Sequence, residues 1–176
     1  MADNIFVVAI TAPGIIKNEI SRISEILENG EADIIHIRKP DWTLQETDEL
    51  IRRIPSKWHP RLRLHDHFRL LEHYSLAGIH LNSRNPDPHP LALSVTKSCH
   101  TIEQLEESAH YDYITLSPIF DSISKTGYRS AFNLDALSPH LEGKNVVALG
   151  GITPDKFPAL KKAGFFGAAM LGYFWE

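Results

Sequence analysis

Asp112-Tyr-Ile-Thr-Leu-Ser-Pro-Ile-Phe-Asp-Ser-Ile-Ser-Lys-Thr-Gly-Tyr128 opens as an apolar strand and breaks at Ser117-Pro118. It then continues as a loop carrying Ser122, Ser124 and Lys125. A strand that ends in hydroxyls and a lysine is how an α/β protein presents donors to a phosphorylated ligand. The same grammar recurs along the chain. Short apolar runs at 5–10, 32–37, 62–65, 77–81, 91–98, 113–116, 146–149 and 167–171 make eight candidate strands. Nearly all end in polar residues or glycine: Thr11, Arg38, Asp66, Asn82, Ser98-Cys-His100, Ser117, Gly150-Gly151 and Gly172.

The intervening segments read as helices. Ile16, Ile20, Ile23 and Leu27 share one face at helical spacing. Thr43-Leu-Gln-Glu46 and Thr101-Ile-Glu-Gln104 have the form of capping boxes. Thr153-Pro154 provides an N-cap and a proline at the first helical position, and Gly164 a stop. Strand–helix alternation implies a parallel sheet. An open sheet gathers its chemistry at one switch point, and Ile10-Thr-Ala-Pro-Gly14 lacks the glycine spacing of a dinucleotide loop. Polar residues at the ends of all the strands fit a closed (β/α)8 TIM barrel, with 1–176 as one domain. Such barrels run to about 200 residues or more. The sequence stops just after the eighth run, so the final helix is expected to be missing, with truncation or a covering partner as the explanations.

Composition narrows the function classes. Net charge is −4 with both signs interspersed, so the basic stripe of a nucleic-acid binder is absent and no nucleic-acid partner is expected. No apolar run reaches membrane-spanning length, and Met1-Ala-Asp-Asn-Ile5 leaves no room for a signal peptide. One cysteine, Cys99, excludes an internal disulfide and fits a reducing, cytoplasmic location. Anionic ligands must therefore be met by a few local cations.

Four strand ends carry candidate chemistry. Gly150-Gly151 and Gly172 either bring backbone amides close to a phosphate or simply turn the chain. On His36-Ile-Arg38-Lys39, alternation puts His36 and Arg38 on the same side; the arginine is either a phosphate fork or a surface ion-pair partner. In His65-Asp66-His67 an extended chain would aim both imidazoles one way. Asp66 would suffice for magnesium with pyrophosphate, whereas zinc needs further ligands and ten histidines make chance adjacency easy. Ser98-Cys99-His100-Thr101 is no triad by adjacency alone. Ser98 and His100 read as ligand contacts, Cys99 as a buried apolar-like residue and Thr101 as a cap.

These strand ends, in this order, resemble the thiamine phosphate synthase/TenI family, most specifically at 112–125, Ser98-Cys-His-Thr101, Gly78-Ile-His-Leu81 and Ala148-Leu-Gly-Gly-Ile152. The resemblance implies a (β/α)8 barrel joining a hydroxymethylpyrimidine pyrophosphate to a thiazole phosphate, with pyrophosphate released and Mg2+ as cofactor. It implies that Arg38, Ser98 and Lys125 hold pyrophosphate, that Asp66 ligates magnesium, and that Gly150, Gly151 and Ser122 lie near the thiazole phosphate. His36, His65, His100, Ser124 and Gly172 complete the expected substrate-binding set, and a homodimer is a family expectation. The departures are specific. His36 stands where synthases carry glutamine, and Pro40 where they carry a second cation, leaving Lys39 as its only substitute. Asn85 stands where they place a second metal-binding aspartate. A TenI-type thiazole tautomerase and a non-catalytic barrel that binds thiazole or thiamine phosphate are the alternatives. Pro118, at the tautomerase's acid/base position, argues for the synthase form.

Overall fold

The structure, a computed structural model, describes residues 5–121 and 132–175. Eight parallel strands close into a barrel in chain order: β1 (Phe6–Ile10), β2 (Ile34–Ile37), β3 (Leu62–Leu64), β4 (Gly78–Leu81), β5 (Val95–Cys99), β6 (Ile114–Leu116), β7 (Val146–Leu149) and β8 (Gly167–Met170). All eight expected strands form. The fifth starts late, because Leu91 and Leu93 lie exposed in the loop after β4 rather than in the sheet.

The outer layer is α1 (Glu19–Glu28), α2 (Leu44–Arg53), α3 (Ile102–Glu107), α4 (Leu134–Leu141), α5 (Phe157–Ala163) and α6 (Gly172–Trp175). Alternation is less strict than the sequence suggests. Only a 3-10 turn at Phe68–Glu72 separates β3 from β4, and no helix separates β4 from β5. The expected gap after β8 is partly filled by the single turn of α6. Phe174 is buried there, and Trp175 Nε1 donates to Ile10 O at 2.6 Å.

Capping is local and specific. Thr43 and Glu46 form the full reciprocal box that starts α2. Thr101 accepts from the Gln104 amide, but the Gln104 side chain reaches the amide of His100 instead of closing the box on Thr101. Asn133 caps α4 through the amides of Asp135 and Ala136. Thr153 makes no side-chain cap; Pro154 opens a 3-10 turn that leads into α5, and Gly164, at φ 97°, ends it.

Strand alternation sorts side chains into two layers. Ala9, Ile35, Ile37, Leu62, Leu64, Ile79, Leu81 and Val146 face outward and pack with Ile23, Ile26, Leu50 and Ile51 of the helices. Inside the barrel the lining is divided. β1, β7 and β8 contribute Val8, Ile10, Val147 and Ala169 to an apolar cluster. From β2 to β6 the interior instead holds buried His36, Arg63, His80, Thr96 and Thr115, with His65 just beyond β3 and Tyr113 just before β6. Burial of that much polarity is tolerable only if the groups satisfy one another.

Candidate active site at the strand ends

Most of the polar half of the barrel is hydrogen-bonded internally, although Arg63 Nε and Thr115 Oγ1 have no partner among the described residues. His36 Nδ1 and His65 Nε2 are 2.8 Å apart, and the other nitrogen of His36 bonds the hydroxyl of Tyr113. His80 bonds Thr96 Oγ1 at 2.7 Å through Nδ1 and Ser98 Oγ at 2.8 Å through Nε2. At the barrel floor, Arg63 donates to Ile79 O, Ser94 O and Ser94 Oγ, and Ser94 donates in turn to Asp112 at 2.6 Å. Burial, reinforced by neighbouring positive groups, pushes His36 and His65 well below the ordinary imidazole value and His80 down to about 3. All three rings are therefore neutral. Burial also raises the Tyr113 phenol to about 12.

The ligating nitrogens of His36, His65 and His80 lie within 4.8 Å of one another. Even so, five of the six ring nitrogens are already hydrogen-bonded within the barrel, so a transition metal would have to displace those bonds. The expected His65–His67 pairing does not form. His67 takes a left-handed conformation (φ 56°) and its Nε2 donates to Trp42 O at 2.7 Å, away from His65.

Above the network, at the ends of β2, β3 and β4, lie Arg38, Asp66 and Arg84. Asn82 folds the loop after β4 into a tight turn: its Oδ1 accepts from the Arg84 amide at 3.1 Å, and its amide group donates to His65 O and His80 O. That turn delivers Arg84 to Asp66, whose Oδ1 accepts from Arg84 Nε at 3.2 Å and Nη2 at 3.0 Å. Asn85 adds a third donor to the same oxygen at 3.0 Å and bonds His65 O as well. Asn85 thus turns its nitrogen, not its oxygen, to the expected metal position. Asp66 Oδ2 is buried and has no hydrogen-bond partner among the described residues.

Arg38 is half-buried, and its guanidinium has no hydrogen-bond or ion-pair partner among the described residues. Burial and the charge of Arg84 both lower its pKa, so the two guanidinium groups sit within electrostatic reach of each other beside Asp66. Lys39 is not the second cation that the sequence allows for. It is completely buried, with Nζ bonded to Ala12 O, Gly14 O and both carboxylate oxygens of Glu19 at 2.7–2.9 Å. Arg84, which sequence reading misses, lies at the mouth instead. Its signal was the spacing Asn82-x-Arg84, a turn residue followed two positions on by a cation.

The other expected residues fall around the same rim. Ser98 is bound to His80, as above. His100 is exposed, with Nδ1 at 3.1 Å from Ser117 Oγ across the next strand. Cys99 is buried, and burial raises its thiol pKa, as suits an inert residue rather than a nucleophile. Gly150 and Gly151 follow β7 at φ 99° and 60°, and Gly172 opens α6. A Cβ on Gly151 would stand 2.3 Å from Asp121 O, and one on Gly150 2.9 Å from Pro118 Cα, so close packing on the loop after β6 itself demands glycine. Ser122, Ser124 and Lys125 lie outside the described residues.

Asp66 Oδ2 is the carboxylate oxygen that a magnesium ion would find here, amid donors and guanidinium groups. The residues fit an ion carried chiefly by substrate oxygens and water, with Asp66 as its protein ligand.

Comparison with known proteins agrees with this architecture. The family described as thiamine monophosphate synthase, TMP-TENI, matches residues 7–173. A thiamine phosphate pyrophosphorylase from Bacteroides thetaiotaomicron, known as a crystal structure, is 36% identical with a TM-score of 0.81; the match covers 95% of this chain and 83% of that one. A putative thiamine-phosphate synthase 2 of Aquifex aeolicus is 28% identical over 172 residues, covering 91% of both chains. A thiamine-phosphate synthase of Limosilactobacillus fermentum is 25% identical over 167 residues, covering 86% of this chain and 78% of its own. Among the described residues, no helix is long and apolar enough to cross a membrane.

Proposed function

Because the chain belongs to the thiamine monophosphate synthase family, we propose that it is a thiamine phosphate synthase, joining hydroxymethylpyrimidine pyrophosphate to thiazole phosphate with release of pyrophosphate. The observation that carries the reading at residue level is the guanidinium of Arg38 at the barrel mouth beside Asp66, with no hydrogen-bond or ion-pair partner among the described residues.

In this reading, the bond between the pyrimidine methylene carbon and the pyrophosphate oxygen breaks, and its electron pair leaves with pyrophosphate. The thiazole nitrogen supplies its lone pair to the methylene carbon, so no protein nucleophile is required. Negative charge grows on the departing oxygens, where the planar fork of Arg38 donates and a charge-assisted hydrogen bond strengthens as the bond breaks. Ser98, oriented by His80, and His100 hold the substrate at the rim. Gly150, Gly151 and Gly172 take the thiazole phosphate on backbone amides, and family resemblance assigns Ser122, Ser124 and Lys125 to the phosphates. The family is generally magnesium-dependent; when bound, the ion supplies charge neutralisation to the pyrophosphate oxygens. Asp66 is the residue to hold it. Barrel walls keep water from the methylene cation while the two reactants are held adjacent.

The test is direct. Purified protein is incubated with the pyrimidine pyrophosphate, thiazole phosphate and magnesium, and thiamine phosphate is measured. Its formation supports the synthase. Its absence, with isomerisation of the thiazole carboxylate phosphate alone, would transfer the site to a tautomerase. The hydrogen-bonded His36–His65 pair is the one observation that favours that second reading.

A further inference from the structure

We infer that Arg84 is a second pyrophosphate ligand, forming with Arg38 a two-guanidinium clamp that engages the anion directly. The inference rests on the synthase reading and deepens it. Three observations support it. First, Arg84 is fixed rather than free: the Asn82 turn holds its backbone, and Asp66 Oδ1 takes its Nε and Nη2. Its Nη1 makes no protein hydrogen bond among the described residues, and its side chain is 38% exposed, so donors remain on an accessible group. Second, Arg38 follows β2 and Arg84 follows β4, the strands that flank β3 and its Asp66, and Arg38 feels the charges of Arg84, Asp66 and Asp41. Two like charges brought together there repel each other, and an incoming dianionic group relieves that repulsion. Third, the neighbouring groups that could otherwise take part at this site are turned to other uses. Asn85 presents its nitrogen to Asp66, and Lys39 is locked to Glu19. Asp66 Oδ1 thus aims Arg84, as a carboxylate orients a ligating group, while Oδ2 stays clear of it.

Isothermal titration with inorganic pyrophosphate tests this, in EDTA and in magnesium, on the wild type, Arg84→Gln and the double variant Arg84→Gln/Asp66→Asn. The double variant removes the carboxylate that the single change leaves unpaired, and circular dichroism checks that each protein is folded. The clamp predicts that wild type binds pyrophosphate in EDTA. It also predicts that both variants bind on the order of 10- to 100-fold more weakly, as loss of a charge-assisted donor would give. Two results would overturn it while leaving the synthase intact: wild-type binding that requires magnesium, or a double variant that regains wild-type affinity, which would reduce Arg84 to a counter-ion for Asp66. No binding in either buffer, together with no thiamine phosphate from the turnover assay, would overturn both the clamp and the synthase.

Discussion

Lys39 Nζ lies 2.7 Å from Glu19 Oε1 and 2.9 Å from Oε2, with both side chains withdrawn from solvent. Burial pushes Glu19 up and Lys39 down in pKa, each against the pull of its partner. The same ammonium gathers the carbonyls of Ala12 and Gly14, so it ties the loop after β1 to the end of β2. Its work is structural. Lys39→Met, which strands a buried carboxylate, is expected to cost about 3–5 kcal/mol in urea unfolding. Adding Glu19→Gln should recover much of that loss. Unchanged stability with abolished pyrophosphate binding would instead make Lys39 a ligand.

Arg38 differs from its neighbour in every respect that matters for binding. It is partly accessible and unpaired among the described residues, so removing it strands none of their charges. Arg38→Ala should keep its unfolding midpoint and lose on the order of 10- to 100-fold in kcat/KM for the pyrimidine pyrophosphate, the worth of a charged hydrogen bond. A wild-type kcat/KM would remove it from the site.

The neutral histidines make stability depend on pH. Free histidine titrates at about 6.5, whereas His80 in the barrel is held down at about 3 and His36 well below its ordinary value. Between those values only the unfolded chain takes up the proton. Stability is therefore full above about pH 6.5 and falls as the pH drops towards the folded values, by up to about 1.4 kcal/mol per pH unit for each such ring. Urea midpoints at pH 7.5 and 5.5 should show the loss. A flat profile across that window would mean that the rings are charged in the fold.

Gly151→Ala places a methyl group where the Asp121 carbonyl already lies, at a φ of 60° that disfavours side chains. The expected result is a loss of about 1 kcal/mol or more in thermal or urea unfolding. Unaltered stability would show that the loop after β6 yields freely.

The barrel was legible because its strands follow their own local code. Val146–Leu149 is an uninterrupted apolar run closed by two glycines, and it forms β7 with those bounds. Leu91 and Leu93 misled for a local reason as well: apolar residues also occur in exposed loops, and the sheet starts only at Val95. Site residues were harder to read, because their meaning lies in partners distant in sequence. Adjacent in the chain, Arg38 and Lys39 look interchangeable, yet Glu19, 20 residues away, takes one and leaves the other. Arg84 resembles any surface cation until β3 and β4 are placed side by side and Asp66 comes within 3.0 Å of it. His67 repeats His65 in sequence, but the left-handed turn between strand and helix sends it to Trp42.

The divided lining of the barrel sets two rules for how its sequence can change. Where Val8, Ile10, Val147 and Ala169 meet, contacts are non-directional, and one apolar residue can replace another of similar volume. From β2 to β6 each hydrogen bond has a donor and an acceptor, so altering His36 alone breaks bonds to both Tyr113 and His65. Variation in that half has to come in matched sets. Across relatives, positions 36, 65 and 113 should therefore drift together, while the apolar strands drift one residue at a time.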